Sequence, residues 1–439
     1  MSIPEPPAPD PSPASATVDP DDRITNRTEI SPSNDANGPS QQTIHIVSVS
    51  DSESYLKWAA QLLSALPGVT AHVYLVDSPI LPTAEQIANA VADTAWEGAT
   101  IPIVSRTDLG AVIAEHRPDI VLGAATGPIV AQLFLTASRL DPRPALVSGL
   151  PGMGLPASTK GMNYRRLMDA FIAHSATEVG AYTAASALAQ VPCQVLLSRL
   201  PMLRSADIPQ RPSPHELAEA PRSLVFAPQA KVPRAQPDRE AIIAALADFA
   251  ERHPTSSVIV KMRSRPGEHE THREQYSYFS IIESLQARGV RGADRIEIGY
   301  GPLGTFLQPG SALVTVSSTA ALESIDRSIP TLIISDFGFD QQLLNEVYAD
   351  SGATGSLGDV AAGAIGFPSD DWMSENYFHE ADGSLRRNLG LLALRARENQ
   401  LPRRRKAVMK QKRLLIRAEL RTVSPTPVVN AYRKLRYGR

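Results

Sequence analysis

The sequence predicts an α/β protein built as two doubly wound halves joined by a linker, and three observations predict it. Apolar runs of strand length alternate with stretches of helix length from Thr43 to about Ile334. One Pro-rich polar stretch, 203–222, interrupts the alternation, which then begins again. Finally, 439 residues of 43% apolar composition are enough for two hydrophobic cores.

Taken in order, residues 1–42 form an expected disordered leader. Nine of the 37 prolines fall there among Ser, Asp and Asn, with too few large apolar side chains to offset the entropy of ordering. The first half, 43–202, opens with IHIVSV as a strand, a helix from about Ser54 to Leu66, AHVYLV as a strand and a helix from Thr83 to about Thr94. Then come IPIVS, a helix near Leu109 to His116, DIVLGA, a helix near Val130 to Leu140, PALVSG, and the segments DAFIAHS and CQVLLS. The second half, 223–394, starts at LVFAPQ and continues with a helix from Asp238 to His253, SVIVKM, a helix from Glu274 to Ala287, and the strands DRIEIG, LVTV and TLIIS. Two such halves are expected to leave a cleft faced by the carboxyl ends of both sheets.

Charge sets the last segment apart. Residues 395–439 hold 15 Lys and Arg against two acids, whereas the remaining chain holds 28 bases against 44 acids, a net of −16. Beyond Pro402 the mixture of Leu, Val, Ile and Met with clustered cations predicts a helix with an apolar stripe and a cationic face. Such a helix suits an anionic membrane surface; the competing readings are nucleic acid, the weaker one, and a closing helix packed on the first half. With no signal-like opening, no apolar run near 18 residues and a lone Cys193, the body is expected in the cytoplasm, at the inner membrane face if the tail docks.

The most informative stretch is LVTVSSTAALESIDRSIPTLIISDFGF, 313–339. A strand ends in Ser317-Ser318-Thr319, a helix starts, and a second strand follows Pro330. The first N–H groups of a helix lack partners and carry the positive end of its dipole, which suits a diphosphate; the same hydroxyls would cap any helix. Lys261, Arg263 and Arg265 follow the strand SVIV and so sit at a carboxyl end, as phosphate contacts or as a solvated loop. Asp51 closes the first strand, where it is a general base or a helix cap. No metal site is read, because His269 and His272 in GEHETH lack a third ligand.

The second half resembles the carboxyl-terminal domain of GT-B glycosyltransferases, in the clade of capsule-type sugar transferases, sialyltransferases and CDP-glycerol glycerophosphotransferases. SSTAALESIDRSIPTLIISDFG, VFAPQAKVPRAQPDR and VIVKMRSRP carry the likeness. Together with DSESYLKWA, SGLPGMGLPASTKG and DAFIAHSATEV, they resemble an actinobacterial family of largely uncharacterised glycosyltransferases over roughly Thr43 to Asn399. The resemblance implies the GT-B fold and a nucleotide sugar as donor substrate, with no further cofactor. It implies a glycan or lipid-linked acceptor, Glu323 on the donor ribose, and Asp51 with His174 and Ser175 in the cleft, His174 as base or substrate ligand. The loop of Gly152, Gly154 and Lys160 would lie on the acceptor side. Retaining enzymes of this fold carry a second glutamate eight positions before the one at Glu323; here that position is Thr315, so inversion is implied. A sugar-nucleotide 2-epimerase and a non-catalytic nucleotide or glycan binder remain as alternatives.

Overall fold

A computed structural model describes residues 42–203, 208–230, 232–262 and 276–423, with side chains of the last helix as far as Arg417. Residues 1–41 of the expected leader, Arg263, Arg265, His269, His272 and residues 424–439 lie outside the described residues.

The first half is a seven-stranded parallel sheet of β1 (Ile44–Ser50), β2 (Val69–Val76), β3 (Ile103–Val104), β4 (Ile120–Ala124), β5 (Ala145–Gly149), β6 (Ala170–Ala173) and β7 (Gln194–Leu197), in the order β3-β2-β1-β4-β5-β6-β7. The second half repeats the winding with β8 (Ser223–Phe226), β9 (Ser257–Lys261), β10 (Ile296–Gly299), β11 (Ser311–Thr315), β12 (Thr331–Ile334) and β13 (Thr354–Gly355), ordered β10-β9-β8-β11-β12-β13. In each sheet the strand order reverses at one place, between β1 and β4 and between β8 and β11, and the crevice outside the strands' carboxyl ends lies there.

Why these runs are strands follows from their burial. Every residue of β4, β5, β6, β11 and β12 is buried, as continuous apolar runs covered by helices on both faces require. The first sheet is covered on one face by the helices Glu53–Ser64 and Ala84–Val91 and on the other by Leu109–His116, Gly127–Ala137 and Ala176–Leu188. The second lies between the helices Gln236–Arg252 and Tyr278–Ala287 and a layer containing Ala320–Asp326 and Asp370–Glu375.

The chain returns to the first half at its end. Helix Ser384–Arg397, which the sequence placed in the 223–394 domain, buries Leu385, Leu389, Leu392, Ala393 and Ala396 in the first half's core. Arg397 fixes it there with Nε and Nη2 on the two Asp119 carboxylate oxygens at 2.7 and 2.6 Å. The following helix, Arg405–Val423, packs Ala407, Val408 and Leu415 on the opposite face of the same sheet. The tail's first part is therefore a closing element, and among the described residues no helix is long and apolar enough to cross a membrane.

Candidate active site

Both reversal points carry polar side chains that the local sequence aims there. In the first half, β1 ends at Ser50 and Asp51 follows at the carboxyl edge, fully buried. Its Oδ2 accepts hydrogen bonds from Thr126 N–H at 2.9 Å and from the Thr126 hydroxyl, and Thr126 opens the helix after β4. Asp51 Oδ1 is buried with no hydrogen-bond partner among the described residues. Burial raises the carboxyl pKa above its ordinary value, and the Thr126 bonds first, then the Asp51 backbone and the Ser52 hydroxyl, oppose that rise. An acid placed in this way is poised to take a proton on the unpartnered oxygen.

Next to it lies Arg165, buried, with Nε on Ser148 Oγ at 2.9 Å and Nη2 on the Ala125 carbonyl at 3.3 Å and the Tyr55 hydroxyl at 3.4 Å. One guanidinium thus ties β4, β5 and the first helix together. The Tyr55 phenol is pushed up by burial, a rise that Arg165 opposes and Asp51 reinforces, so it stays protonated at neutral pH.

His174 sits beside this cluster with both ring nitrogens engaged. Trp58 Nε1–H, which can only donate, reaches His174 Nε2 at 2.8 Å, so the proton is on Nδ1, which donates to the Ser198 carbonyl at 3.0 Å. Burial holds the imidazole pKa down and the ring is 1% exposed. In this structure its lone pair accepts from Trp58, so His174, expected as base or substrate ligand, has both ring nitrogens in hydrogen bonds to the protein. Ser175 is likewise taken up as a cap, its buried hydroxyl accepting from Glu178 N–H at 3.1 Å.

The loop after β5 reaches across to the second half. Gly152 has φ +81, and a Cβ there would lie 2.8 Å from Thr319 Cγ2, so only glycine lets the loop pass this close. Gly154 is held by its N–H on Glu178 Oε1 at 2.6 Å and by its carbonyl, which accepts from the Tyr182 hydroxyl. Glu178 also accepts from His174 N–H at 2.8 Å and from the Tyr377 hydroxyl of the second half at 2.8 Å. Lys160 is exposed at the start of helix Thr159–Tyr164. Gly152→Ala is expected to destabilise the protein by about 2 kcal/mol, because the added Cβ is strained at this φ and meets Thr319. A denaturation midpoint checks this, and an unchanged midpoint would mean the loop yields freely.

In the second half, Ser317 is fully buried and donates from Oγ to the Leu344 carbonyl at 2.8 Å, while its own carbonyl accepts from Gln229 Nε2 at 2.9 Å. The hydroxyl proton of Ser317, expected as a donor ligand, is thus engaged by the protein itself. Ser318 and Thr319 are half-buried at the start of helix Ala320–Asp326, with Ser318 Oγ accepting from Ala320 N–H at 3.2 Å. Glu323 is half-buried in that helix, and Lys261 closes β9 beside Gly299.

Sequence reading missed Thr126, Tyr55, Arg165, Glu178 and Tyr377. Only Glu178 left a local signal, the Ser175-x-x-Glu178 spacing of a capping box. Its carboxylate instead serves His174 N–H, Gly154 N–H and Tyr377.

Residues 46–392 match a family model described as "Putative glycosyltransferase (DUF6716)". No curated protein matches the chain. A "putative UDP-N-acetylglucosamine 2-epimerase" from Listeria monocytogenes is 13% identical with a TM-score of 0.53, covering 82% of this chain and 98% of that one. The S. aureus MnaA-UDP co-structure is also 13% identical, with a TM-score of 0.51 over 82% of this chain and 98% of that one. These likenesses show the fold, two Rossmann-like halves of the GT-B kind.

Proposed function

The chain belongs to the family described as "Putative glycosyltransferase (DUF6716)", and from that premise we propose that it moves a sugar from a nucleotide-activated donor to a glycan or lipid-linked acceptor of the cell envelope, with inversion. The observation that carries this reading is Asp51, a buried carboxylate at the first reversal point with one oxygen fixed by Thr126 and the other unpartnered. As general base, Oδ1 takes the acceptor hydroxyl proton while that oxygen attacks the donor carbon from the face opposite the leaving diphosphate. His174 and Arg165 position the surrounding strands and touch no reacting atom.

The second half holds the donor. Ser318 and Thr319 present the helix N-terminus to the diphosphate, Lys261, Arg263 and Arg265 neutralise its charge, and Glu323 takes the ribose. No metal or separate cofactor enters this scheme. The loop of Gly152, Gly154 and Lys160 approaches from the acceptor side, and the contact of Gly152 with Thr319 supports its closing over the donor.

Thermal shift against UDP, CDP, CMP, GDP and TDP and their sugars tests the donor site. One base is expected to stabilise the protein by about 2.7 kcal/mol at roughly a hundredfold its Kd, and Lys261→Ala/Arg263→Ala is expected to abolish the shift. A response to none at millimolar concentration would move the weight to a non-catalytic binder. 2-Epimerisation is the second reading, the activity named for the Listeria monocytogenes protein that shares this fold. Product analysis separates the two, since an epimerised sugar nucleotide formed without acceptor would replace the transferase reading.

A further inference from the structure

Helix Arg405–Val423 packs one set of its apolar side chains on the protein itself. Ala407, Val408 and Leu415 pack against the first half's core, and Gln411 is buried with its amide on the Tyr164 carbonyl at 3.3 Å. Facing outward are Arg405, Lys406, Lys410, Lys412, Arg413 and Arg417, with no carboxylate from Arg405 to Arg417. Among them stand Met409 and Ile416, 57% and 55% exposed and seven residues apart, hence on one side of the helix two turns from each other. Ala407, Val408 and Leu415 of the expected apolar stripe are thus turned to the protein, and a second, shorter apolar set lies within the cationic face.

The helix also has a direction relative to the cleft. At its start, Arg404 Nη1 donates to the Met168 carbonyl at 2.5 Å, at the amino edge of the sheet before β6. At Gln411 it has reached Tyr164, whose ring lies against Gly127 beside Thr126 and hence near the carboxyl edge that carries Asp51. Arg417 lies a further ~9 Å along the axis at 1.5 Å per residue, so Lys412, Arg413, Ile416 and Arg417 stand toward the cleft edge of the first half.

We propose that this face docks the protein on an anionic lipid bilayer, with Met409 and Ile416 entering the headgroup boundary and the six cations on the lipid phosphates, so that the cleft edge of the first half meets the membrane. Charge complementarity selects an anionic partner. The pair of large apolar side chains among the cations selects a bilayer over nucleic acid, whose phosphates offer Met409 and Ile416 no apolar phase.

Sedimentation of the full chain with phosphatidylcholine vesicles, and with the same vesicles mixed with phosphatidylglycerol, is the test. Binding is expected to the mixed vesicles alone, to weaken with salt, and to fall about 100-fold in Lys410→Ala/Lys412→Ala/Arg413→Ala, three cations each worth close to a factor of five. Met409→Ser/Ile416→Ser is expected to weaken it with every charge in place. Equal binding to both vesicle types, binding to neither, or retention on RNA that mixed vesicles do not compete away would each overturn the proposal. The assay contains no substrate, so nucleotide thermal shifts measured on the same variants separate loss of docking from failure of the donor site.

Discussion

Asp51→Asn is expected to lower transfer about a thousandfold while nucleotide binding survives and the melting temperature above neutral pH does not fall. Asparagine is close to isosteric and can still accept from Thr126 N–H, but it cannot take a proton, so the loss should appear in kcat with donor affinity intact. The stability half follows from linkage. Burial sets the folded pKa of Asp51 above its ordinary value, so its contribution to stability is fully present below the unfolded carboxyl pKa. That contribution is lost as pH rises through the folded pKa, and above it the ionised group opposes folding. The asparagine variant should therefore gain on the parent as pH rises. The parent's rate should climb over the same rise, because only the deprotonated carboxylate accepts a proton. Transfer in Asp51→Asn within tenfold of the parent would remove the base assignment, and a falling melting temperature would show the carboxylate to be chiefly structural.

The sheets were legible because buried parallel strands write themselves as short apolar runs. IHIVSV, DIVLGA and LVTV became β1, β4 and β11 within two residues of their expected limits. β13 was not legible, since two residues leave no pattern, and the helix Ser384–Arg397 fell within the expected second half because Asp119 and the strands β1 and β4 that it meets lie far back in the chain. At the site, the position of Asp51 at the carboxyl end of β1 could be read, and its role as base is a proposal. What the reading lacked was pairing: Thr126 is 75 residues away, and Trp58, which occupies the His174 lone pair, is 116 residues away. A residue type at a strand end announces chemistry, but whether its lone pair is still available is decided by tertiary contacts.

Glu178→Ala is expected to have the largest effect on stability, about 4 kcal/mol, because one side chain satisfies three donors in the interior. Gly154 N–H, His174 N–H and the Tyr377 hydroxyl converge on its carboxylate at 2.6 to 2.8 Å, and none gains another acceptor when it is removed. The Tyr377 phenol is held well above its ordinary pKa by burial first and by Glu178 second, so it remains a donor throughout the working range. Tyr377→Phe removes one of the three bonds and leaves the carboxylate with two, so a smaller loss of about 1–2 kcal/mol is expected. The two variants differ in a second way. Tyr377 belongs to the core layer of the second half, whereas Gly154 and His174 belong to the first. The phenylalanine variant should therefore loosen the seam between halves, raising KM for the donor with a small change in melting temperature. Glu178→Ala should release the loop at Gly154 as well and depress kcat. Denaturant titration of both variants, with kinetics at a temperature where each is folded, separates these effects. Equal destabilisation by the two would mean that the Tyr377 bond carries the whole effect and that the loop is held by its own packing.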